Sequence, residues 1–65
     1  MKIMINGEER EAPCQTLTQL VESLGHSSTA VATAINGVFV PIAERDKQVL
    51  QERDAVEIIA PMAGG

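Results

Sequence analysis

Aromatic side chains are almost missing from this chain, which has one Phe, no Tyr and no Trp among 65 residues. Stacking platforms for single-stranded nucleic acid need several rings, so that class of binding is excluded. Basic residues are scarce too. Five Lys and Arg stand against nine Asp and Glu, a net charge of −4 with no basic stripe to meet a phosphate backbone. An acidic domain is steered instead toward a basic partner surface. A single cysteine excludes an internal disulfide and a Cys-rich zinc site. A small domain without such staples suits a reducing cytoplasm, the expected location. No apolar run approaches a membrane span, and Met1–Ile5 is too short for a leader, so no membrane association is expected.

What is present is aliphatic. Apolar residues make up 45% of the chain, enough for one small core near the lower limit for an independent domain. Residues 1–60 read as that domain and residues 61–65 as a flexible tail. Lys2–Ile5 alternates as a strand, with Ile3 and Ile5 on one face and Met4 on the other. Asn6-Gly7 suits a type I′ turn, whose two central residues both take positive φ. Glu8–Ala12 is the return strand, and its charges, with Pro13 after it, mark a sheet edge. Thr16 and Gln19 spell a capping box; Leu17, Leu20, Val21 and Leu24 then form one apolar stripe, which Gly25 ends. Val31–Ile35 and Val38–Val40 are strands around a second turn, Asn36-Gly37, with Phe39 opposed to Val38 and Val40. Ile42–Val49 patterns weakly and reads as a helical turn over the surface, with Val49 and Leu50 closing onto the core. After a turn at Gln51–Asp54, Ala55–Ala60 is the last strand, Val56 and Ile58 inward and Ile59 outward. Pro61 ends its pairing.

A lone two-turn helix must lay its leucine stripe across one face of a sheet. With the first and last strands side by side at the centre, the polar second strand falls at an edge. The expected fold class is α+β, a mixed five-stranded sheet packed on one main helix. The tail then leaves a central, anchored strand. Extended, Ala60-Pro61-Met62-Ala63-Gly64-Gly65 reaches roughly 20 Å. At average glycine usage of about 7%, a chance terminal Gly-Gly arises in roughly one chain in 200. The pair is expected to leave a carboxylate with no side chain beside it, slim enough to thread a channel and offer its carboxyl carbon to a nucleophile. A frayed terminus is the plain alternative.

Ala34-Ile35-Asn36-Gly37 running on to Val40-Pro41, then Asp54-Ala55-Val56-Glu57-Ile58, then Gly64-Gly65, follow one another along the whole chain. On these residues it resembles the ThiS/MoaD family of β-grasp, ubiquitin-like sulfur carriers, most closely the thiamine-biosynthesis branch. Two positions depart from that family's pattern. Arg53 stands where Gly often precedes the Asp of the last turn, and Ile42 where a basic residue often follows the Pro. The resemblance implies a protein co-substrate and not an enzyme. A ThiF-type enzyme would adenylate the Gly65 carboxylate, persulfide sulfur would displace AMP to leave a thiocarboxylate, and a ThiG-type thiazole synthase would take the sulfur. The carrier itself would need no cofactor, since it has no Gly-rich phosphate loop and ATP would belong to the activating enzyme. The free carrier is expected to be a monomer. Three alternatives stay open: the small subunit of molybdopterin synthase, a ubiquitin-like modifier joined to lysines, and an interaction module with an inert tail.

The candidate residues follow. Gly65 is the reacting end and Gly64 its slim neighbour, while Met62 and Ala63 line the tail and fit a partner's channel. Met4, Phe39 and Ile59, outward by strand parity, are a candidate partner-binding patch, since contiguous exposed apolar area marks partner surfaces. Cys14 has no Lys or His beside it to lower its pKa and reads as a plain small residue. His26, beside Ser27 and Ser28, has no orienting acid and reads as solvated. The acidic residues are scattered without metal-ligand spacing.

Overall fold

Two Asn-Gly turns shape the sheet. The computed structural model of the chain describes residues 1–13, 15–27 and 29–60. Strand β1, Lys2–Ile5, runs antiparallel to β2, Glu8–Glu11, with Ile5 opposite Glu8. Between them Asn6 and Gly7 take φ of 51° and 84°, the left-handed pair that a type I′ turn demands. The same solution recurs at Asn36 and Gly37, φ 51° and 83°, between β3 (Ala32–Ile35) and β4 (Val38–Val40). The last strand, β5 (Ala55–Ile59), lies between β1 and β3, parallel to the first and antiparallel to the second. The order β2-β1-β5-β3-β4 therefore puts the charged strand at an edge, as its composition requires.

Helix α1, Leu17–Ser23, begins at the expected capping box. The Thr16 hydroxyl accepts the Gln19 N–H at 3.2 Å, and Gln19 Oε1 accepts the Thr16 N–H at 3.2 Å. It ends at Gly25, φ 83°, in a full Schellman arrangement, where Gly25 N–H donates to the Glu22 carbonyl and His26 N–H to that of Val21. Seven residues are too few for an isolated helix, so packing must hold it. Leu17, Leu20 and Val21 are buried against Ile3, Ile5, Ile35, Val40, Leu50, Val56 and Ile58. Each such side chain contributes roughly 1.5–3 kcal/mol. The start of the helix is also pinned from outside, by Leu17 N–H to the Gln48 carbonyl and Leu50 N–H to that of Gln15.

Several details correct the expectations. The weakly patterned segment is a 3₁₀ helix over Ile42–Lys47, and it is not confined to the surface, because Arg45 is only 2% exposed. Its Nε donates to Thr33 Oγ1 at 3.0 Å and its Nη2 to the Val31 carbonyl at 2.6 Å; Thr33 in turn donates to the Val40 carbonyl at 2.8 Å. The β3 ladder starts at Ala32, opposite Ile59, and Val31 before it gives its carbonyl to the guanidinium instead. Val49 does not join the core. It is 59% exposed beside the buried Leu50, because consecutive residues of an extended segment face opposite ways. Val38 shares a face with Val40 but stays exposed at the turn end of the edge strand. Strands β2 and β5 are each shorter by one residue than expected, closing at Glu11 and Ile59, although the Ala12 N–H still donates in register to the Met1 carbonyl. Among the described residues no helix is long and apolar enough to cross a membrane.

Candidate functional site

Strand β5 carries the chain to its glycine end, so its anchoring decides how that end is held. Val56 and Ile58 enter the core. On one side β5 pairs with β3 as far as Ala32 opposite Ile59. On the other, β1 pairing stops at Ile5 opposite Val56. There the side chain of Asn6 takes over: Oδ1 accepts the Ile58 N–H at 2.9 Å and Nδ2 donates to the Ile58 carbonyl at 3.1 Å. At the start of β5 the equivalent residue of the second turn, Asn36, accepts the Ala55 N–H at 3.0 Å and donates to Asp54 Oδ1 at 3.1 Å. Strand β5 is thus bonded by a turn asparagine at each end. Gly65, Gly64, Met62, Ala63 and Pro61 lie outside the described residues, as does Cys14.

The sheet face away from α1 carries the other candidates. Phe39 sits opposite Ala34, and Ile59 opposite Ala32, so the two large side chains flank a floor of two alanines. Phe39 is 64% and Ile59 60% exposed. Thr29, Ala30, Val31, Ala32 and Ile59 also line an open groove of about 300 Å³ at the end of the same face. Met4 points to this face but does not adjoin the pair. It sits opposite Ala55 and Glu9, roughly 13 Å along the sheet from Ile59 and about 14 Å across it from Phe39. It is half-buried and borders a separate small pocket with Lys2, Glu9 and Arg53. The exposed apolar surface is thus Phe39 and Ile59 over alanines, with Glu57 among them opposite Ala34.

The remaining candidates stay apart from this surface. His26 is exposed beyond the helix end. Among the described residues no group of three or more His, Cys, Asp or Glu side chains could hold a metal ion. Of the two departures in sequence, Arg53 takes a left-handed φ of 69°, the conformation that explains a glycine there, and Ile42 is half exposed. Sequence reasoning missed two features, the buried Arg45–Thr33 pair and the side-chain role of both turn asparagines. A threonine inside an aliphatic strand was the available signal for the first, and the choice of Asn at both turns was the signal for the second.

A mixed five-stranded sheet in this order, with one helix laid across it and the last strand at its centre, defines a β-grasp protein of the ubiquitin-like class. The chain matches the model of the ThiS family over residues 3–65, and it belongs to that family. No curated protein matches it by sequence. It is similar to the crystal structure of the thiamine biosynthesis protein ThiS from Geobacter metallireducens, at 25% identity over the whole of both chains and a TM-score of 0.83. A solution structure of a thiamine biosynthesis protein from the same organism is likewise similar, at 25% identity over the whole of this chain and 88% of that one, with a TM-score of 0.85.

Proposed function

We propose that this chain is a sulfur carrier for thiamine thiazole synthesis, acting through Gly65. The observation that carries the reading is the family match, which runs through Gly64 and Gly65 to the last residue and so includes the glycine end. The solved structures it resembles are thiamine biosynthesis proteins, which favours that branch.

The chemistry follows from what a carboxylate lacks. It is a poor acyl donor, so a ThiF-type enzyme that binds ATP joins the Gly65 carboxylate to AMP and releases pyrophosphate. The terminal sulfur of a persulfide attacks the acyl carbon, and the bond to AMP breaks. A thiol then cleaves the sulfur–sulfur bond and leaves the thiocarboxylate, whose sulfur a ThiG-type thiazole synthase consumes. The body contributes docking and reach. Phe39 and Ile59 offer apolar contact, the acidic surface suits a basic partner, and Met62 and Ala63 lie along the partner's channel.

Intact mass after incubation with ATP, a sulfur source and a ThiF-type enzyme tests the reading. The expected result is a gain equal to exchange of one oxygen for one sulfur, lost when Gly65 is deleted. No gain with active enzyme would sink it.

A further inference from the structure

We propose that Asn6 is a positioning residue for the reacting tail, because its carboxamide extends the β1 ladder by one rung onto Ile58 and so braces the end of β5 on the side where β1 has turned away. This inference rests on the carrier reading of Gly65.

The geometry is specific. The backbone of Asn6 still belongs to the ladder, since its N–H donates to the Val56 carbonyl at 2.9 Å. At φ 51° it then turns away toward β2. A strand continuing in register would present Ile58 with a carbonyl for its N–H and an N–H for its carbonyl. Oδ1 and Nδ2 of Asn6 supply both, at 2.9 and 3.1 Å. Among residues that tolerate left-handed φ, Gly has neither group and Asp only the acceptor, so Asn is the side chain that closes this rung.

The consequence is a matter of reach. With the rung in place, β5 is held on both sides through Ile58. Without it, the residues after Val56 hang from β3 alone. Glu57 to Ile59 keep their β3 partners but lose the brace on the β1 side, so this end frays more often, and each time its three residues open the tail gains about 10 Å of slack. Acyl transfer needs its reacting atoms about 3–3.5 Å apart and aligned. Fraying at the root therefore lowers the fraction of docked carriers whose carboxylate is in place, while Phe39 and, as long as its pairing with Ala32 holds, Ile59 still dock the body. The signature is a fall in kcat without a rise in KM.

Asn36 is the matched control. It occupies the same turn position with the same φ, and its carboxamide also bonds β5, but at Ala55, the end away from the tail. The experiment compares wild type, Asn6→Gly, Asn6→Asp and Asn36→Gly as substrates of a ThiF-type enzyme in ATP–pyrophosphate exchange, with amide hydrogen exchange read at Ile58. Asn6→Gly is expected to lose on the order of tenfold or more in kcat at unchanged KM, with Ile58 exchanging about tenfold faster. Asn6→Asp, which keeps the acceptor, should fall between and serves if the glycine variant folds poorly. Asn36→Gly should lose comparable thermal stability and keep its kcat. Equal losses of kcat in Asn6→Gly and Asn36→Gly, or normal turnover with fast Ile58 exchange, would overturn the positioning role and leave the carrier reading intact. A wild-type chain that is not adenylated would overturn the carrier reading and the positioning role together.

Discussion

The hairpins β1–β2 and β3–β4 turn on the same dipeptide with the same dihedrals, yet their outer strands share nothing. β2 is Glu8-Glu9-Arg10-Glu11, exposed along its length, and β4 is Val38-Phe39-Val40, with two apolar side chains in solvent. Charges along an edge strand oppose pairing with another chain. β4 has no such guard and relies on its shortness and on Pro41, which offers no N–H. The undersides differ as well. Ile3 and Ile5 of β1 enter an aliphatic core, whereas Thr33 of β3 faces a buried arginine. The turn is therefore set by backbone geometry and by the asparagine bonds to β5 that both hairpins share, while each edge takes the composition of what it meets: water at β2 and, in the proposed function, a partner at β4.

The largest expected effect breaks the comparison from below. Arg45→Ala removes the hydrogen bonds to Thr33 and Val31, leaves the Val31 carbonyl buried, and opens a cavity under β3. It should cost about 2–4 kcal/mol in urea unfolding. Arg10→Ala, on exposed β2, should stay within about 0.5 kcal/mol of wild type. Similar costs for both would mean the guanidinium is not a structural member of the second hairpin.

The next prediction breaks it from above. Phe39→Asp gives β4 a charge like those of β2, and the exposed ring leaves the core unchanged when lost. KM for the ThiF-type enzyme should rise by roughly tenfold or more, the loss of a modest interface anchor, with the unfolding midpoint held. Glu9→Ala on β2 should leave KM near wild type. If the β2 change raises KM as much as the β4 change, docking is not on the apolar side.

These residues also show what the sequence could tell. Turns and caps were legible because each rests on local backbone geometry: Asn6-Gly7, Asn36-Gly37, and the Thr16–Gln19 box with Gly25. The edge place of β2 followed from its charges, with β1 and β5 expected side by side at the centre, whereas nothing in composition marked the apolar β4 as the other edge. The Arg45–Thr33 pair was not legible, because a lone arginine in a weak pattern has the same signature whether solvated or buried, and long-range packing decides between them. For the site, parity placed Met4, Phe39 and Ile59 on one face, but parity does not report spacing. Register puts Met4 beside Ala55, away from the other two. The glycine end was visible as composition, and its root at Asn6 became visible only when a turn side chain was seen bonding a strand some fifty residues later (|i−j| = 52).

The smallest effect sharpens the lesson of the turns. Both hairpins place Asn and Gly at positive φ, residues that bear it cheaply, while the turn into β5 places Arg53 there at φ 69°. Three hydrogen bonds impose that conformation: Arg53 N–H to the Lys2 carbonyl at 2.7 Å, Asp54 N–H to the Gln51 carbonyl at 3.1 Å, and Gln51 N–H to Asp54 Oδ2 at 2.8 Å. A left-handed residue with a β carbon costs roughly 1–2 kcal/mol. Glycine removes that strain but adds freedom to the unfolded chain, which takes back roughly 0.5–1 kcal/mol. Arg53→Gly should therefore gain about 0.5–1 kcal/mol, a rise in Tm of about 3–6 °C for a domain this small. Arg53→Ala keeps the β carbon and should gain nothing. If alanine stabilises as much as glycine, the arginine side chain and not its backbone is the source of the cost, and the turn into β5 would not obey the rule that the two hairpins share.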